Sequence, residues 1–312
     1  ADKVVIPGNA KIDISGLNLL VTGKDIEIGR NAELEADNVR IESTSDKADE
    51  FLPLITIDGK LNATLGSVVI EARNSVEEAN YSTSDAVSKV INTGATVNIK
   101  EYGNLNAHDS VNVFAGSLVN VKYNKTTKDK ALAFTAVQNS VVAKLADSAN
   151  VMANKFRMLA YGLLNVFTVS TLGAALTLAY QTVDAIVGDA IIISNKGVEI
   201  NTSGSMRAVT YSGDMGSTVS QWRDILKDEL GTTLTNAGLT ELKAAYDEVK
   251  AQKAPVEVVT VNNETKTKNI EIDEKTGAVN VASNKVRSNL GGTVVTRDVK
   301  VNSNANTFAV AG

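Results

Sequence analysis

The sequence predicts an all-β chain, a right-handed parallel β-helix or solenoid with a helical hairpin inserted near 218–253, and three observations carry that expectation. A short phrase returns along the chain, an apolar residue, a Gly or Asp turn, then a valine- or isoleucine-rich run alternating with small polar residues. Copies read Leu65-Gly66-Ser67-Val68-Val69-Ile70, Val187-Gly188-Asp189-Ala190-Ile191-Ile192 and Leu290-Gly291-Gly292-Thr293-Val294-Val295. A unit this short cannot bury its own apolar face, so its recurrence implies stacking of like on like. The chain is also 43% hydrophobic but only 4% aromatic, so its core is filled by Val, Ile, Leu and Ala, as suits the thin interior of stacked strands. Finally, Asp147 and Asp189 stand 42 residues apart, and each is followed by a matching Asn-Lys, at Asn154-Lys155 and Asn195-Lys196. Halved, that spacing gives a coil of about 21 residues, three strands of about five residues with three turns.

Taken in order, 11–15, 17–21, 25–28, 32–36 and 38–42 read as short half-buried strands divided by Gly- or Asn-containing turns. A charged loop at 43–50 interrupts them, strands resume at 54–59 and 61–65, and a polar loop at 74–85 projects from the body. The most apolar stretch, 163–180, is interrupted by Asn165, Thr168, Ser170, Thr171 and Thr177 and contains Gly173. A spanning helix needs about 20 predominantly apolar residues, so this stretch reads as consecutive buried strands and no stable membrane span is predicted. Between 218 and 253 the spacing turns helical, with Trp222, Ile225, Leu226 and Leu230, then Leu239, Leu242, Ala245, Tyr246 and Val249, Gly231 between them and Pro255 closing the pair. Strand character returns at 256–261. The rhythm runs on through 304–312 without a cap, which reads as one domain over 1–312 that is a fragment of a longer chain, or whose end a partner covers.

Composition narrows the function classes. The net charge of −5 comes from interspersed charges without a basic run, which disfavours nucleic acid as a partner. The absence of cysteine excludes disulfides and thiolate metal sites, and suits either a cytosolic protein without redox work or a bacterial protein exported unfolded. Ala1-Asp2-Lys3-Val4-Val5-Ile6 lacks the basic and apolar regions of a signal peptide and reads as a mature or trimmed start.

No catalytic, cofactor-binding or metal-ligating residue is predicted. His108-Asp109-Ser110 holds three residue types of a hydrolase triad, but neighbours in a strand point to opposite faces, so it reads as a turn. Acidic pairs such as Glu77-Glu78 and Asp273-Glu274 are scattered over polar loops. Asn recurs at expected turns, at Asn31, Asn98, Asn120, Asn150 and Asn195, and predicts stacked Asn ladders. Sequons stand at Asn62, Asn80, Asn124, Asn201 and Asn263. Trp222 and Tyr246 are the candidate partner contacts; Trp222 reads either as the anchor that docks the helices or as an exposed hot spot.

The Val187-Gly188-Asp189-Ala190 phrase followed by Asn195-Lys196-Gly197-Val198-Glu199-Ile200-Asn201-Thr202, and the run from Asp298 to Gly312, resemble large secreted β-helical exoproteins of Gram-negative bacteria. That group includes filamentous haemagglutinin-like adhesins and fusobacterial leukotoxin-like proteins. The resemblance spans most of 3–215 and 256–312, omits the helical insert and lacks an amino-terminal secretion domain. It implies export through the outer membrane and a role in adhesion. The expectation is therefore a secreted or cell-surface, non-enzymatic rod that meets a host-cell or surface receptor, with no cofactor. A self-assembling extracellular filament built by end-to-end association is the alternative, and a polysaccharide-active enzyme the third reading.

Overall fold

A computed structural model describes residues 1–48, 52–82, 88–125, 133–170, 175–212, 244, 257–261, 264–273 and 278–311. Its elements are β1 (Lys3–Ile6), β2 (Lys11–Gly23), β3 (Asp25–Ile28), β4 (Glu33–Ser45), β5 (Leu54–Ile57), β6 (Lys60–Ala63), β7 (Val68–Ser82), β8 (Ser88–Ile99), β9 (Asn104–Ala107) and β10 (Ser110–Lys125). They continue with β11 (Ala133–Leu145), β12 (Asn150–Ser170), β13 (Ala175–Val187), β14 (Ile191–Ser212), β15 (Glu257–Val261), β16 (Glu264–Asp273), β17 (Ala278–Leu290), β18 (Thr293–Val295) and β19 (Val299–Ala311). Alternating Val, Ile and Leu with small polar residues makes these segments strands, and successive strands are laid into two sheets.

One sheet has nine strands in the order β1-β3-β5-β8-β11-β13-β17-β16-β15, parallel up to β17 and antiparallel from β17 through β15. The second is parallel and contains β10, β7, β4, β6, β9, β12, β14 and β18, with β2 beside β4 and β19 beside β14. Within it the pairing of β10 with β12 closes a six-strand parallel barrel, β10-β7-β4-β6-β9-β12. The ring exists because β4 and β12, besides pairing with β2 and β14, are each long enough to take two further partners in succession. β4 pairs with β6 through Glu33–Ala36 and with β7 through Val39–Ser45. β12 pairs with β9 through Asn150–Met152 and with β10 through Lys155–Ser170.

The expectation of an all-β chain holds, but the right-handed parallel β-helix is corrected to this closed parallel ring joined to a mostly parallel sheet. The spacing of 42 is not two coils of about five-residue strands. Asp189 N donates to Asp147 Oδ1 over 2.7 Å, 42 residues away, and the strands between are 13 and 21 residues long. The shared Asn-Lys, expected as a turn, is a bulge inside continuous strands: Ala153 lies opposite Ser194 and Lys155 opposite Gly197, so Asn154 alone faces Asn195 and Lys196. The expected loop at 74–85 is largely strand, because β7 runs on to Ser82 with Asn74 buried. The helical hairpin expected at 218–253 lies outside the described residues, apart from Ala244, which is helical, and the elements of the described fold are all strands.

Between the sheets the core is layered. A large apolar cluster includes Ala72, Ala95, Ala115, Val141, Ala160, Val183 and Val286, and a second includes Val76, Ile91, Val119, Val137, Leu164, Ala179 and Met206. The positions between them in each strand are polar or lack side-chain bulk. Asn74, Ser117, Gly162 and Gly204 form one paired row, and Thr93, Asn139, Gln181 and Asn284 form the row across from it. Asn74 Nδ2 donates to Thr93 Oγ1 at 2.8 Å, Asn139 Nδ2 to Gln181 Oε1 at 2.9 Å, and Gln181 Nε2 to Asn284 Oδ1 at 3.1 Å. Asn284 Nδ2 donates to the Gly204 carbonyl at 2.9 Å. Gly162 and Gly204 are required here by close approach. A Cβ on Gly162 would lie 2.8 Å from Gln181 Oε1, and one on Gly204 would lie 2.7 Å from Asn284 Oδ1.

Expected Asn ladders are present, though not only at turns. Asn31 has a left-handed φ of 59° and donates to Asn9 at 3.4 Å, Asn38 donates to Asn18 at 2.8 Å, and Asn195 donates to Asn154 at 3.0 Å. Asn120 and Asn165 pair at 2.7 Å in mid-strand.

Candidate binding face

The outward face of the second sheet divides into two parts. Toward the strand starts its charges are paired. Arg40 bonds Glu71 at 3.0 Å and also meets Glu42, Arg73 meets the same Glu71, and Arg157 and Lys155 both approach Glu199, at 3.4 and 3.8 Å. Arg73 also lies over the Phe114 ring, 5.1 Å from its centroid.

Toward the strand ends the face turns apolar. Residues two apart share a face, and the register places Leu118, Asn120 and Lys122 of β10 beside Leu163, Asn165 and Phe167 of β12. The rows continue through Ser205, Arg207 and Val209 of β14 to Asn306, Phe308 and Val310 of β19. Leu118, Tyr161, Phe167, Tyr211 and Phe308 are exposed, Phe308 to 52%. Phe167 and Tyr211 meet edge to face with ring centroids 5.9 Å apart and planes at 65°. The Arg207 guanidinium lies 5.7 Å from the Phe308 centroid. A concavity of about 490 Å³ runs across the strands, lined by Asn120, Val121, Lys122, Asn165, Val166, Phe167, Arg207 and Val209. Among the described residues neither Lys122 nor Arg207 is in an ion pair, so two cations and an aromatic cluster face solvent together.

Aromatic rings with arginine, on a strand-built support, have the composition of interface hot spots, and an exposed apolar cluster of this kind marks a contact surface. The chemistry offered is ring stacking, cation–π contact and amide hydrogen bonding.

Of the residues singled out in the sequence, Trp222 and Tyr246 lie outside the described residues. His108 Nδ1 is 3.0 Å from Asp109 Oδ1 on an exposed turn, but Ser110 Oγ bonds Ser67 Oγ at 2.9 Å, so the three do not form a relay. Among the described residues no group of three or more His, Asp or Glu side chains is arranged to hold a metal ion, and no helix is long and apolar enough to cross a membrane. The aromatic face itself was missed by sequence reading. Its signal lay in the stretch read as wholly buried: Phe167 is exposed while its polar neighbour Thr168 is fully buried.

No protein-family model, curated protein or solved structure matches this chain.

Proposed function

We propose that this chain is a binding segment of a secreted or cell-surface exoprotein of adhesive type, which presents the strand-end face of its second sheet to a receptor on a host cell or another surface. One observation carries the reading: Leu118, Tyr161, Phe167, Tyr211 and Phe308 are exposed together around Arg207 and Lys122, on a sheet braced from behind by a hydrogen-bonded interior. A rigid platform limits the ordering cost of binding, so exposed rings on it convert contact into affinity more efficiently than the same rings on loops. Catalysis is not part of the reading.

The test is binding of the purified, fluorescently labelled chain to cultured mammalian cells and to bacterial cells. Phe167→Ser, Tyr211→Ser and Arg207→Ala should each lower binding at least about tenfold, the weight of one hot-spot side chain, while leaving the melting temperature near that of the parent. Lys60→Ala, on the same sheet but away from the face, should bind as the parent does. Equal binding by all four variants removes this face from the function.

A further inference from the structure

Three neighbouring strands cross the concavity on the outward face of the second sheet. β10 contributes Asn120 and Lys122, β12 Asn165 and Phe167, and β14 Arg207 and Val209. The register sets Asn120, Asn165 and Arg207 side by side in one row, and Lys122, Phe167 and Val209 in the next. Across the strands the face therefore runs from a cation, through a ring with an amide, to a second cation. Lys122 and Arg207 stand two strands apart, about 10 Å. Elsewhere on this sheet Arg40, Arg73, Lys155 and Arg157 are engaged with Glu71 or Glu199, whereas Lys122 and Arg207 are in no ion pair among the described residues. Glu77, the one acid of the described residues in these rows, lies beside Asn120 on β7, on the side away from Arg207.

The strands offer a ligand side chains and no backbone. Through these rows β10 is paired on both sides, with β7 and β12, β12 with β10 and β14, and β14 with β12 and β19. An extended peptide laid on the face would gain no main-chain hydrogen bonds, and its own amide groups would lose water without replacement. A nucleic acid carries a phosphate on every residue and calls for a denser set of cations than two. What the face does offer is a ring, held edge to face against Tyr211, and an amide pair with capacity to spare. Asn165 Nδ2 donates to Asn120 Oδ1 at 2.7 Å, which leaves the Asn120 N–H groups and Asn165 Oδ1 to a ligand. A pyranose has the matching surface, with C–H groups on one face to lie against a ring and a rim of groups that both donate and accept hydrogen bonds.

We infer, resting on the receptor reading above, that the ligand of this face is a linear polysaccharide with a carboxylate on every second sugar, lying across the strands. Arg207 takes one carboxylate through its guanidinium fork and Lys122 takes the next as a point charge. The neutral sugar between them stacks on Phe167, with its polar rim on Asn120 and Asn165. A single acidic sugar reaches only one of the two cations, so the repeat is what the spacing selects.

Calorimetric titration of the purified chain tests this with three probes: hyaluronan hexasaccharide, which alternates glucuronate with a neutral amino sugar, the neutral chitin hexasaccharide, and a hexaglutamate peptide. The hyaluronan probe should bind at least about tenfold more tightly than either of the others. Arg207→Ala and Phe167→Ser should each weaken it at least about tenfold and Lys122→Ala several-fold, with the melting temperature retained. Arg207→Lys, which keeps the charge and loses the fork, should fall between Arg207→Ala and the parent. Lys60→Ala should bind as the parent does, and excess hexasaccharide should displace the labelled chain from cultured cells. Absence of hyaluronan binding, equal binding of the three probes, or binding that the Arg207, Phe167 and Lys122 variants leave unchanged overturns the proposal. Cell binding that needs Phe167 and Arg207 but resists the hexasaccharide overturns the ligand class and leaves the receptor reading standing. Hyaluronan binding through these residues, with cell binding indifferent to them, sustains the ligand class and overturns the receptor reading.

Discussion

The side-chain amide of Asn139 donates to that of Gln181 over 2.9 Å, one strand away, and both are fully buried between two apolar clusters. Gln181 passes the pattern on to Asn284, so one amide layer crosses three strands of the first sheet. Buried amides without partners are costly, and register answers much of that cost here: only when Asn139, Gln181 and Asn284 lie opposite one another can the Asn139 and Gln181 amide N–H groups reach the next side chain, although Asn139 Oδ1 finds no partner among the described residues. A slip of one residue would bury side chains meant for the other face and break the chain of bonds together.

Removing the middle member tests that role. Gln181→Leu removes the donor to Asn284 Oδ1 and leaves Asn139 Nδ2 facing a side chain that cannot bond, at about 1–3 kcal/mol for an orphaned group. Urea unfolding should show the single variant losing more than the triple replacement of Asn139, Gln181 and Asn284 by Leu would lose per site, because the triple variant leaves no orphaned amide.

The glycines opposite the layer are expected to be intolerant. Gly162→Ala brings a methyl 2.7 Å from Val183 Cγ2, and Gly204→Ala brings one 2.6 Å from Val286 Cγ2. Overpacking of this kind costs about 1–3 kcal/mol. Both variants should lower the urea midpoint without changing the slope of the transition.

On the outer face, Phe167 and Tyr211 should be energetically coupled. A double-mutant cycle with Phe167→Ala and Tyr211→Ala should return a coupling of about 0.5–1.5 kcal/mol, the usual range for an edge-to-face pair. A coupling of zero would mean that the two rings are held by the sheet alone.

Tyr123 supplies a pH dependence. Its side chain is fully buried, and burial raises the phenol above its ordinary value because the charged form would lose its hydration. The folded state thus holds the proton more tightly than the unfolded chain does. The associated stability is complete below the unfolded value of about 10 and declines as pH rises through the higher folded value. Tyr123→Phe should flatten the fall in melting temperature above that point, and absorbance titration should show one fewer late-ionising tyrosine.

Much of the secondary structure was legible in the sequence, for physical reasons that also mark the limit. Alternation identifies a strand and its two faces, so the all-β content, the spacing of Asp147 and Asp189 and the Asn ladders could be read. Alternation does not say whether the polar face meets water. Asn74 and Asn139 therefore look like surface residues although both are buried, and the polar run from Asn74 looks like a loop although it is strand. Nor does it say where a strand ends. Asn154 and Lys155 suit a turn, yet a bulge absorbs the extra residue and β12 continues to Ser170. The barrel depends on that length, since only a long β12 can reach both β9 and β10. Phe167 was hidden for the converse reason: in a stretch where both faces are apolar, hydrophobicity cannot tell the covered side from the open one.

The pairing of parallel strands also fixes how the chain must find its fold. Lys3 waits for Asp25, Asn139 for Gln181 and Asp184 for Arg287, and in the described fold only β15, β16 and β17 pair with the segment next to them in sequence. Loop-closure entropy is thus spent before almost any ladder forms, which places such chains among slow folders. Until the partner segment arrives, each strand exists as an unpaired ribbon, and the antiparallel hairpin is the one part of the described structure able to form from purely local encounters.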